Sequence, residues 1–132
     1  MIRATLLLSV TLASCATAPS GGQPLVGQWG GTHVGLALGS GGGRTDYDCA
    51  AGTIDEPLVP DGAGRFTARG RHVPGHGGPD RANDVAPSYA ALYSGVVRGD
   101  LMSLRVEVSG MNVVIGPYAL RRGGEPLLMR CL

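Results

Sequence analysis

The sequence predicts an all-β protein, a small antiparallel up-and-down β-barrel of about eight strands, and three observations carry that expectation. Apolar residues recur at every second position in one segment after another. Clusters of Gly, Pro, Asp and Asn punctuate those segments at intervals of about 8–12 residues. Twenty-three of the 132 residues are glycine, and no useful length of chain holds helical periodicity, so no long helix is expected downstream of the N-terminal segment.

In order along the chain, Leu25 to Trp29 reads as the first strand and carries the only tryptophan. Thr32 to Leu38 alternates Val34, Leu36 and Leu38 with His33, Gly35 and Ala37. After the glycine turn 39–43, Arg44 to Ala50 sets Thr45, Tyr47 and Cys49 against Asp46 and Asp48. Thr53 to Val59 reads as a shorter strand bounded by Pro57 and Pro60, and 61–64 as a tight turn. Arg65 to Val73 puts Phe66, Ala68, Gly70 and His72 on one face, with Arg65, Thr67, Arg69 and Arg71 on the other. The Pro- and Gly-rich stretch 74–88 is the longest loop, of a length at which loops tend to be functional or disordered. Tyr89 to Arg98 and Leu101 to Val108 form a hairpin about Gly99-Asp100, with Met102, Leu104, Val106 and Val108 on one side. Val113 to Arg121 and Leu127 to Leu132 close the meander. Barrel closure lays the last strand beside an early one, which removes exposed edges and brings Cys131 towards Cys49.

The N-terminus has another character. Met1-Ile2-Arg3 precedes the apolar run Ala4–Leu12 and then small residues, the layout of a secretory signal. The run is about half the ~20 residues a spanning helix needs. Leu12-Ala13-Ser14-Cys15 resembles the lipobox of bacterial lipoproteins. That resemblance implies a mature chain that starts at Cys15 and carries lipid on its sulfur; the alternative is an ordinary signal that runs into a cysteine. The organisation expected is signal peptide 1–14, flexible tether 15–24 and barrel domain 25–132. The tether is small, uncharged and rich in Gly and Pro, with a random-coil reach of about 15–18 Å. Residue 16 is Ala, not the Asp that retains many Gram-negative lipoproteins at the inner membrane. The resemblance therefore implies a cell-envelope address on the periplasmic face of the outer membrane.

Composition excludes several activities. Positive and negative side chains nearly balance, at 11 and 10, so no basic excess is available for phosphate neutralisation and no nucleic-acid partner is expected. The chain has no lysine, which rules out a P-loop lysine, a Schiff base and a Ser-Lys dyad. Cys49 and Cys131 form an even pair in an exported domain and read as a disulfide. Two free thiols, or half a metal site, are the other readings. No cofactor and no resident metal are expected. His72 and His76 have H-x-x-x-H spacing, but Pro74, Gly75 and Gly77 preclude the helix that would align them.

Gly27-x-Trp29 on the first strand of an all-β chain resembles the opening motif of the calycins, the lipocalin and avidin group. The resemblance implies a Trp packed at one end of the barrel beneath an Arg from the last strand, a part that Arg121 or Arg122 fits. It also implies a small or apolar ligand in the barrel mouth. Trp29, Tyr93, Met102, Leu104 and Tyr118 are the candidate lining residues; a filled core built from the same side chains is the alternative. A low-yield polar constellation is His33 with Asp46 and Asp48, joined by His72, for which Ser40 and Thr32 are the nearest nucleophiles. The chain has no G-x-S-x-G elbow. The expected function is a non-enzymatic binding module, tied to the membrane through Cys15, for a small apolar ligand or an envelope protein. Behind it stand an inhibitory or structural lipoprotein acting through loop 74–88, resembling the small barrel lipoproteins that block lysozyme, and then a hydrolase built on His33 with Asp46 or Asp48.

Overall fold

A computed structural model of the chain describes residues 22–83 and 85–132. The lipobox and most of the tether lie outside them. Eight strands follow one another: β1 (Gly27–Gly31), β2 (Val34–Gly39), β3 (Gly42–Tyr47), β4 (Ala50–Ile54), β5 (Arg65–Pro74), β6 (Tyr89–Arg98), β7 (Leu101–Val108) and β8 (Val113–Arg122). Each pairs antiparallel with its sequence neighbours, and β8 returns to β1, giving a closed up-and-down barrel. Among the described residues there is no helix.

Period-two alternation decides which side chains enter the barrel. On β5, Phe66 and Ala68 are buried between exposed neighbours and His72 between exposed Arg71 and half-buried Val73, and on β7 Met102, Leu104, Val106 and Val108 alternate with exposed residues. Cross-strand register joins these positions into rows, such as Leu36–Thr45–Gly52–His72–Tyr89 and Phe66–Gly95–Leu104–Tyr118. Each row sets a glycine among larger side chains, which suits a narrow barrel filled by its own side chains. Tyr93 is fully buried across from Gly52 and Gly70. A β-carbon at Gly70 would come 2.8 Å from the Tyr93 ring, and one at Gly52 would come 2.6 Å from the Thr45 hydroxyl and collide with the Tyr93 phenol. These glycines supply the space the tyrosine occupies.

Two ends follow from the topology. The entry end holds the start of β1, the turn between β2 and β3, the connection 55–64 and the turn at Gly99-Asp100. The Leu25 amide donates to the Leu58 carbonyl (2.9 Å), and Leu58 is fully buried as a plug there. The opposite end holds His33, the Asp48-Cys49 turn, loop 75–88 and the turn 109–112.

Four strand expectations are corrected. The strand expected over Arg44–Ala50 is Gly42–Tyr47, because the chain turns at Asp48-Cys49 and Ala50 already belongs to the next strand. The first strand begins at Gly27 because the Leu25 amide is already bonded to Leu58. The expected strand Thr53–Val59 is instead Ala50–Ile54: Cys49 takes a positive φ of 56° and reverses the chain early, and Pro57 and Pro60 offer no ladder donors beyond it. Leu127 to Leu132 is no strand; it makes one isolated bridge, Thr32 to Leu127.

The segment 124–132 instead forms a strap outside the barrel. It leaves β8 at the entry end, where the Gly123 amide donates to the Gln28 carbonyl (2.7 Å). It then lies over β2, where Pro126 packs against Gly35; a β-carbon at Gly35 would meet the proline ring at 2.7 Å. Reciprocal backbone bonds follow, His33 N–H to the Leu127 carbonyl (2.8 Å) and Leu127 N–H to the Gly31 carbonyl (3.1 Å). Beyond them the chain reaches the Asp48-Cys49 turn. Cys131 thus meets Cys49 by way of this external strap, and not as part of a final barrel strand.

Candidate functional site

The ligand-lining candidates expected from the sequence lie in the barrel interior. Trp29, Tyr93, Met102 and Leu104 are buried at 0–2% exposure, and Tyr118 is half-buried. Tyr93 donates its hydroxyl hydrogen to the Arg71 carbonyl (3.0 Å), so the Thr45 hydroxyl, 3.3 Å away, donates to Tyr93. Tyr93 and Leu104 belong to the buried hydrophobic core, and Tyr118 packs against it. These side chains pack as core.

Trp29 is covered by the Arg122 guanidinium, 4.4 Å from its ring centroid, a cation–π contact. Asp100 fixes that guanidinium from outside through Arg122 Nε (3.1 Å).

Near the strap end the core turns polar and aromatic. Tyr47 stacks on Tyr118 with centroids 5.9 Å apart, and its ring lies 5.8 Å from that of His72. The Tyr47 hydroxyl and His72 Nδ1 are buried without a hydrogen-bond partner among the described residues. Burial pushes the Tyr47 phenol far above its ordinary range, raises those of Tyr93 and Tyr118, and holds the His72 imidazole below its usual value. All four groups are neutral at pH 7.

The polar constellation is divided by the barrel wall. His33 Nδ1 contacts the Asp48 carboxylate, as strand pairing suggests. Asp48 has a second task that local sequence does not announce: its other oxygen accepts the Met129 amide of the strap (2.7 Å). Asp46 points outward and pairs with Arg44 at 3.7 Å. His72 faces inward, and Ser40 lies at the far end of β2 from His33. His76 pairs with Asp80 (3.1 Å) in the loop. No group of three His, Cys, Asp or Glu side chains gathers at metal-binding distance among the described residues. The Arg stripe of β5 is partly engaged, since Arg71 donates to the Ser88 hydroxyl (2.6 Å) and carbonyl (3.0 Å).

Cys49 and Cys131 stand at disulfide-bonding distance, with Cα atoms 4.9 Å apart and a sequence separation of 82. They border a cleft of about 490 Å³ between the strap and the outer ends of β3, β4 and β5. One wall is Leu128, Met129 and Arg130; the other includes Ala50, Ala51, Val73 and Pro74. Apart from the cysteines and Asp46, which also borders the cleft, sequence reasoning singled out none of its lining residues as site residues. The available signal was the non-alternating run Leu127-Leu128-Met129 between a proline and a cysteine.

Fold and site together define a small closed antiparallel β-barrel with a packed interior and an external C-terminal strap. Comparison with protein-family models, with curated proteins and with solved structures finds no match in any of the three.

Proposed function

We propose that the chain is a non-enzymatic binding module, tethered to the bacterial envelope by lipid on Cys15, that meets its partner at the strap end of the barrel. The observation that carries this reading is the packed interior: with Tyr93 seated against Gly52 and Gly70, recognition falls to the outside of the barrel. Two further features support it. The chain enters the barrel at the end plugged by Leu58, so a short tether from Cys15 holds that end towards the membrane and turns the strap end away from it. Val85, Met111, Val113, Leu128, Met129 and Leu132 are exposed on segments of the strap end, and apolar exposure at one end of a molecule suits an interaction surface.

Arg122 over Trp29 is the arrangement the calycin resemblance implies, and the reading proposed here puts the ligand or partner outside the barrel and not in its mouth. An inhibitory role through loop 74–88 is the second reading, favoured by the position of that loop at the same end.

Site-specific photocrosslinking in intact envelopes tests the proposal. A crosslinker at Met111 is expected to capture an envelope component, whereas one at Ser40, on the entry end, is not. Capture from Ser40 alone, or from neither site, overturns it.

A further inference from the structure

The cleft beneath the strap combines features that choose a ligand class. Its barrel side is mostly small and aliphatic, with Tyr47 beside Ala50, Ala51, Val73 and Pro74, and on the strap side Leu128 and Met129 can conform to an unbranched chain. Its volume of about 490 Å³ falls within the about 300–1,000 Å³ typical of small-molecule sites. Two charged side chains border it, Asp46 and Arg130. Asp46 is matched by Arg44 (3.7 Å). Arg130 makes no salt bridge among the described residues, so it is the cationic residue of the cleft lining without an ion-pair partner there. A planar guanidinium fork suits a carboxylate, which it can hold through two parallel N–H···O bonds.

We propose that this cleft, outside the barrel, binds a free aliphatic carboxylate: the hydrocarbon chain lies between Ala51 and Val73 on one side and Leu128 and Met129 on the other, and the carboxylate meets Arg130. The inference deepens the binding-module reading and rests on it, but it does not depend on the lipid at Cys15. Asp48 and the Cys49–Cys131 pair act as positioning groups, because they fix the strap that forms one wall.

The test uses purified full-length chain carrying Cys15→Ala, titrated calorimetrically below micellar concentrations with three probes that share a ten-carbon chain: decanoate, 1-decanol and decyltrimethylammonium. Decanoate is expected to bind saturably at one site, at least tenfold more tightly than either other probe. Arg130→Gln should erase that preference while leaving weak binding of the chain. Ala51→Trp should fill the cleft and abolish decanoate binding with thermal unfolding preserved. Should Ala51→Trp fail to fold, methyl shifts of Ala50, Ala51 and Met129 on decanoate addition to the unsubstituted barrel serve instead. Absence of saturable binding, equal binding of the three probes, or shifts confined to other methyls would overturn the inference. Strap-end crosslinking that survives such a failure leaves the broader binding reading standing. Phospholipid vesicles bound in place of decanoate would also overturn it, assigning the surface to a bilayer.

Discussion

Gly52, Tyr93 and His72 show how single positions decide what this barrel holds. A β-carbon at Gly52 has nowhere to go, because the Tyr93 phenol, the Thr45 hydroxyl and the Arg71 carbonyl all crowd it. Gly52→Ala is therefore expected to destabilise the fold by about 1–3 kcal/mol through overpacking. Urea unfolding measures that cost, which should be smaller in a Tyr93→Phe background, where one of the colliding atoms is gone. An equal cost in both backgrounds would remove Tyr93 from the explanation. His72 makes stability pH-dependent. The unfolded imidazole titrates near 6.5, while burial in the barrel lowers the folded value. The unfolded state then binds more protons between those two values, so stability falls as pH drops below about 6.5 and levels off beneath the folded value. His72→Gln should flatten this component when unfolding is compared at pH 7.5 and pH 5. Parallel profiles for the two proteins would rule His72 out as the source.

Among the elements, the strap depends most on a few attachments. Its sequence carries no strand alternation, and its hold on the barrel rests on Pro126 over Gly35, the paired bonds at Leu127, the Asp48 carboxylate and the cysteine pair. Asp48→Ala removes the acceptor of the Met129 amide, a bond to a charged group worth about 1.5 kcal/mol. Hydrogen exchange at Met129 should accelerate roughly tenfold, with amides in β6 and β7 unaffected; unchanged exchange would show that other contacts hold the strap alone. The seam between β1 and β8 is the other element of note. Register joins only Trp29 to Arg122 and Gly30 to Arg121, so the first half of β8 pairs with β7 alone. Pro117 lies in that half, where a missing N–H costs little and discourages pairing with another chain.

For the whole molecule, the paired cysteines close most of the barrel into one loop. In the chain-entropy view a bridge across 82 positions contributes up to about 4–5 kcal/mol. Reduction should accordingly lower the melting temperature, and Cys131→Ser should reproduce the loss; a melting temperature indifferent to both would mean the pair is energetically idle. Anchoring is a separate matter of address. Cys15→Ala is expected to move the protein from the membrane fraction to the soluble fraction, and an unchanged membrane fraction would sink the lipid-anchor proposal.

What the sequence determined by itself was local and periodic. Alternation at Phe66, Ala68 and His72 and at Met102, Leu104, Val106 and Val108 assigned inward faces, because a strand must turn successive side chains to opposite sides. Gly99-Asp100 marked a hairpin, and the low helical propensity of a glycine-rich chain set the fold class. Cys49, Cys131 and the His33–Asp48 contact were legible as residues of interest for the same local reasons. Tertiary structure alone decided that Tyr93 fills the barrel, that Asp48 also holds Met129, and that Arg130 and Ala51 border one cleft. Each of those joins residues far apart in the chain. Their meeting depends on barrel closure and on the path of a strap with no repeating pattern, and neither is written in any short stretch of sequence.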